Sequence, residues 1–195
     1  MPLLLNIDTA TENASVSLTN NGIVLAFAES TEQKNHASFV QIAIEKIIAD
    51  TQITFNQINA IAVTNGPGSY TGLRVGLASA KGLAFALNKP LIGLSTLSLL
   101  AKAAIGHLIE TRNDLLDDKQ LQVFSMIDAR RMEIFGAIYN SSLDYLAPEK
   151  AIILDEPLLH SLLTNGPLIC IGSGVAKTKI LTQHTDFHNK LPIFL

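Results

Sequence analysis

The sequence predicts an α/β protein of two lobes, each a mixed β-sheet with helices packed on it. Three observations lead there. The first half reads as strands and helices in the order βββαβαβα, a layered arrangement that only a mixed sheet accommodates. The same pattern starts again near Gln122, and each half ends its first strand in an aspartate, Asp8 in Ile7-Asp8-Thr9-Ala10 and Asp128 in Ile127-Asp128-Ala129.

Taken in order, Leu3 to Ile7 reads as a buried strand, while Ala14 to Leu18 alternates apolar and polar as a half-buried strand does. Asn20-Asn21-Gly22 is a hairpin turn into a third strand, Ile23 to Ala28. His36 to Ala49 carries Phe39, Val40, Ala43, Ile44, Ile47 and Ile48 at helical spacing. Ile58 to Val63 is the next strand, and Asn65 to Leu87 joins a Gly/Pro loop to a helix from Gly72. A short strand, Leu91 to Gly93, leads to a helix after Ser95. Glu110 to Gln120 holds six charged residues in eleven and no apolar periodicity, so the lobes are expected to be 1–109 and 110–195. Beyond it lie strands Gln122 to Ile127 and Met132 to Tyr139, a turn at Asn140-Ser141-Ser142, a strand Leu168 to Ile171 and a short helix from Val175. Duplicated lobes of this order, ribonuclease-H-like and each with a strand-end Asp, make the architecture of the actin, hexokinase and Hsp70 superfamily, in which a nucleotide sits between the lobes.

Composition narrows the function. With 195 residues, 48% hydrophobic and only 16% charged, the chain has ample material for its cores and apolar surface left for a partner. A net charge of −3, no basic stripe and no Trp argue against unaided nucleic-acid binding. The single Cys170 lies in an apolar run and reads as a buried, inert thiol, and one cysteine allows no disulfide framework, which suits a reducing cytoplasm. MPLLLNID lacks the basic start of a signal peptide, and the most apolar window, Leu83 to Ala104, is broken by Asn88, Lys89, Pro90 and Lys102, so no membrane association is expected.

The chemistry-bearing candidates are few. Gly66, Gly68 and Gly72 permit close backbone approach, and Ser69 is placed to cap the helix, so Gly68 and Ser69 are candidates for holding an anion at the helix start. The Walker lysine is missing, however, and a tight strand-to-helix connection reads equally well. Asp8 and Asp128 have the position of carboxylates that orient metal-bound water, or of turn caps. These residues support a second reading, a nucleotide-dependent phosphotransferase or ATPase. His184 and His188 are the only histidines four apart and fall in a polar tail segment, a weak metal pair. No catalytic residue and no metal ligand is assigned. The helix from Gly72 to Leu87 has small residues Gly72, Gly76 and Ala80 four apart, with Leu73, Leu77 and Leu83 around them. Together with His36, Phe39, Val40, Ala43 and Ile47 of the preceding helix, this stripe is expected to form a two-helix surface for a copy or a relative.

Asn6-Ile7-Asp8-Thr9-Ala10-Thr11, His36-Ala37-Ser38, the block Gly66-Pro67-Gly68-Ser69-Tyr70-Thr71-Gly72-Leu73-Arg74-Val75-Gly76 and Ile127-Asp128-Ala129-Arg130 together resemble the bacterial TsaB (YeaZ-like) family across essentially the whole chain. The resemblance implies a cytoplasmic, accessory, non-catalytic role in making threonylcarbamoyladenosine beside the anticodon of tRNAs that read codons beginning with adenine. The related subunit TsaD transfers the threonylcarbamoyl group, and the ATPase TsaE joins the complex. It implies no intrinsic cofactor, contact with tRNA only through the complex, and a shared interface for the homodimer and for TsaD on the two helices above. TsaD-like proteins bind metal through His-x-x-x-His, where this chain has Thr96 and Leu100, which also disfavours a glycoprotease-like metallopeptidase. A further helix beyond Leu195, packing back on the first lobe, is expected from the family, which would make the second lobe shortened at its end.

Overall fold

The computed structural model describes residues 2–32, 36–184 and 191–195. The chain divides into two compact units, Met1–Thr96 and Leu97–Leu195.

In the first unit, β1 (Leu3–Asp8), β2 (Ala14–Asn20) and β3 (Ile23–Ser30) form an antiparallel meander. Asn21 and Gly22, at φ 51° and 82°, supply the two positive-φ positions that a tight hairpin turn requires. β4 (Ala60–Gly66) and β5 (Leu91–Ser95) add in parallel, for a sheet order of β3-β2-β1-β4-β5. The helices α1 (His36–Thr51) and α2 (Tyr70–Leu87) pack on one face of this sheet. Their apolar sides close a core with Leu5, Ile7, Val16, Leu18, Ile61 and Val63. The opposite face is more polar: Asn6 on β1 reaches the Ser17 and Thr19 hydroxyls of β2 at 3.1 and 3.2 Å.

The second unit repeats the plan. β6 (Gln122–Asp128), β7 (Glu133–Tyr139) and β8 (Tyr145–Ile153) form a second meander, and β9 (Leu168–Ile171) and β10 (Ile193–Phe194) join in parallel. Its sheet order, read from the meander edge, is β8-β7-β6-β9-β10, strand for strand the order of the first. The helices α4 (Glu156–Asn165) and α5 (Val175–His184) follow β8 and β9 as α1 and α2 follow β3 and β4. The duplication expected from the two strand-end aspartates is therefore complete at the level of topology, and Asp8 and Asp128 close equivalent strands.

Helix α3 (Thr96–Thr111) departs from expectation. The sequence places it in the first lobe, with the boundary after residue 109, whereas the compact units divide after Thr96. The reason is the stripe Leu97, Ala101, Ala104, Ile105 and Leu108, which buries against Val123, Ile127, Ala137, Tyr139 and Ile169 of the second sheet. That sheet is thus covered on both faces, since α4 and α5 close the other with Phe124, Met126, Ile134 and Cys170.

Cys170 lies in that second core, and burial pushes its thiol up to about 12 from an ordinary value of 9.0. In the native protein it is expected to resist thiol reagents at neutral pH and to react once the chain unfolds, as a dye-labelling time course with and without denaturant would show. The folded thiol stays neutral while the unfolded one ionises, so this group's contribution to stability is present below pH 9 and lost as the pH rises toward 12.

Candidate functional site

The Gly/Pro loop is held by the turn after β1. The Ser69 amide donates to the Ala10 carbonyl at 2.7 Å, and the Ser69 hydroxyl accepts the Gly72 amide at 3.3 Å as the N-cap of α2. The buried Thr9 hydroxyl donates to the Gly72 carbonyl at 2.7 Å. A Cβ added at Gly68 would stand 2.2 Å from the Ala10 oxygen, and one at Gly72 would stand 2.1 Å from the Thr9 oxygen. The close approach that glycine permits here is filled by the chain's own backbone. Asp8 is engaged in the same way, its Oδ1 accepting the Ala10 amide at 2.9 Å and the Thr64 hydroxyl at 2.8 Å. Of the nucleotide-site candidates in the first unit, then, Gly68 and Ser69 clamp α2 onto the Thr9–Ala10 turn and Asp8 fastens that turn and β4. These residues do not fit a phosphate cradle.

In the second unit Asp128 is paired with Lys177, and its amide donates to the Ser173 hydroxyl at 2.9 Å. No three His, Cys, Asp or Glu residues gather to hold a metal among the described residues. His188 and the side chain of His184 lie outside them. His36 Nε2 donates to the Glu12 carbonyl at 3.0 Å and serves to tie the start of α1 to the turn after β1. Thr96 is buried, and Leu100 packs beside the α3 core, which is the role its type suits.

Most of the helix residues expected to meet a partner are buried. Val40, Ala43, Ile47, Gly72, Gly76 and Ala80 are buried in the first unit's own core, and His36 is buried beneath the turn. A Cβ on Gly76 would meet the Thr9 hydroxyl at 2.3 Å. These seven residues therefore hold α1 and α2 to their own sheet and cannot be presented to a partner, which corrects the expectation. Phe39, Leu73 and Leu83 are half-buried and retain some surface.

What faces outward is a second stripe of small residues on α2, Ala78, Gly82 and Ala86, again four apart, and a Cβ on Gly82 would meet nothing within 4 Å. Phe85 stands beside it at 91% exposure, and α1 contributes Ile42 at 64%. A hydrogen bond of 3.3 Å from Gln41 to Ser79 ties the two helices to each other. At the start of α2, the Arg74 guanidinium lies over the exposed Tyr70 ring, 3.9 Å from its centre. The sequence carried both stripes of α2. The inner one has the more conspicuous glycines, and only the position of Thr9 reveals which side the sheet takes.

A family model described as TsaD: tRNA N6-adenosine threonylcarbamoyltransferase matches residues 22–167. The tRNA threonylcarbamoyladenosine biosynthesis protein TsaB of Escherichia coli is 33% identical over 175 residues, spanning 88% of this chain and 71% of that one. The protein of the same name from Haemophilus influenzae is 37% identical over 132 residues, 68% of this chain and 51% of that one. Among solved structures, YeaZ from Pseudomonas aeruginosa superposes with a TM-score of 0.71 at 21% identity, covering the whole of both chains, and shows a shared fold. The duplicated mixed sheets give the two-lobed α/β fold that the sequence predicts, the fold shared with YeaZ. Within that fold, the chain belongs to the TsaB (YeaZ-like) family, itself akin to the transferase that the family model describes.

Proposed function

We propose that this chain is a non-catalytic subunit of the complex that forms N6-threonylcarbamoyladenosine next to the anticodon of tRNAs reading codons that begin with adenine. In this reading TsaD transfers the threonylcarbamoyl group from threonylcarbamoyl-adenylate, and this chain holds TsaD through α1 and α2. TsaE joins the pair, tRNA is met only through the complex, the homodimer uses the same helices, and the work is done in the cytoplasm. No described helix is long and apolar enough to cross a membrane.

The observation that carries the proposal is the outward face of α1 and α2 in a chain of this family: Ile42, Ala78, Gly82, Phe85 and Ala86 leave an apolar, small-residue surface on two adjacent helices. Small residues let a second helix pair approach, and Phe85 supplies the large apolar group that such an approach would bury. The strand-end groups, by contrast, are engaged by the chain's own backbone and side chains, which favours a supporting role over an ATPase.

Reconstitution tests the role. Purified chain with threonylcarbamoyl-adenylate and tRNA is expected to yield no modified adenosine, and adding TsaD is expected to restore formation that TsaD without the chain does not reach. Product from the chain alone, measured by nucleoside mass spectrometry, would overturn the proposal.

A further inference from the structure

We infer that Lys177 is a built-in cation for the second unit's strand-end carboxylate, so that Asp128 is closed to metal by the chain itself. Asp128 closes the first strand of its unit, the position that the sequence marks as suited to a carboxylate orienting metal-bound water. In this chain the place is taken by an ammonium. Lys177 Nζ pairs with Asp128 Oδ1 and donates to the Glu133 carbonyl at 2.7 Å. A carboxylate oxygen and a main-chain carbonyl oxygen are the ligand types that hard cations choose, and an ammonium with three donors satisfies both.

Two further features favour a dedicated pairing over an incidental surface contact. The Lys177 side chain is only 13% exposed, although lysine is ordinarily among the most solvated side chains. It also sits in the first turn of α5, where the helix dipole disfavours positive charge, and that turn contains no acid of its own. Asp128 supplies the missing negative charge from β6. The ends of this arrangement are fixed by backbone bonds, with the Asp128 amide on the Ser173 hydroxyl at 2.9 Å, the Gly174 amide on the Met126 carbonyl at 3.2 Å and the Lys177 amide on the Gly174 carbonyl at 3.1 Å. Among the described residues of the first unit no cation pairs with Asp8. There Asp8 is held by Thr64 and the Ala10 amide, so the two halves reach the same closed state by different chemistry. The inference stands apart from the helix-face proposal, which neither Asp128 nor Lys177 enters.

Mn²⁺ broadening of backbone amide resonances in the full chain tests it. In the wild type, the Asp128, Ser173 and Gly174 signals are expected to keep their intensity at millimolar Mn²⁺. Lys177→Met is expected to lose more than half of that intensity, with Asp128→Asn in the same chain restoring it, and Lys177→Arg, which keeps the charge, is expected to behave as wild type. Broadening in the wild type that Asp128→Asn removes would overturn the inference, as would a folded Lys177→Met chain with no new broadening. Should Lys177→Met fail to fold, the wild type and Lys177→Arg decide it: broadening removed by Asp128→Asn in either one overturns the inference, and intact signals in both support it.

Discussion

Gly76→Leu is expected to destabilise the first unit by about 3 kcal/mol, the upper end of what overpacking a filled core costs. The Cβ alone would stand 2.3 Å from the Thr9 hydroxyl, which is fully buried and already donates to the Gly72 carbonyl at 2.7 Å. To admit a side chain, either that hydroxyl gives up its bond, at about 1–3 kcal/mol for a stranded buried group, or α2 lifts from the sheet and opens the core around Ala80 and Ala84. Gly82→Ala is the matched control on the same helix. Its methyl enters open space, and it should gain up to about 1 kcal/mol through helix propensity. Denaturant midpoints for the two variants should therefore move in opposite directions. A Gly76→Leu chain that melts like the wild type but no longer associates would return the inner stripe to the interface.

That contrast also marks how far the sequence could be read. The meander β1 to β3 was legible because alternation and the Asn-Gly turn are local signals, and the loop from Gly66 to Gly72 because glycine and proline punctuate strongly. The packing side of an all-round apolar helix is not local. Gly72, Gly76 and Ala80 and the outward Ala78, Gly82 and Ala86 share one spacing, and the difference between them is made by Thr9, more than sixty residues earlier in the chain. For the same reason the sheet that α3 covers is not legible locally: its stripe from Leu97 to Leu108 announces an amphipathic helix without naming its partner. β8 carries little strand signal because Tyr145–Ile153 contains Pro148, Glu149 and Lys150 and lacks alternation, as befits an edge strand. α4, absent from the elements expected above, does carry local signals: Asp155 as its N-cap, a proline in the first turn, and Leu158, Leu159, Leu162 and Leu163 at helical spacing. The Asp128–Lys177 pair had no signal at all, since a lysine far along the chain meets the aspartate only once β9 lies beside β6.

Phe85→Asp is expected to weaken association through α1 and α2 by about 30-fold or more while leaving the melting temperature of the chain unchanged. Phe85 is 91% exposed, so its removal costs the isolated fold almost nothing. In a closed interface the same ring would contribute about 2 kcal/mol through burial, and a carboxylate in its place adds a desolvation cost, which together exceed the 1.4 kcal/mol of each tenfold step. Gly82→Trp should act by a different route to the same end, since bulk on the small stripe holds a second helix pair away without disturbing the core beneath. Sedimentation for self-association and calorimetry with TsaD measure the two unions separately. If one face serves both, each variant must weaken both in parallel, and excess wild-type chain must compete with its own binding to TsaD. Loss of the homodimer alone would separate the two interfaces and leave TsaD a different surface, and unchanged behaviour in both assays would remove the α1–α2 face from the proposal.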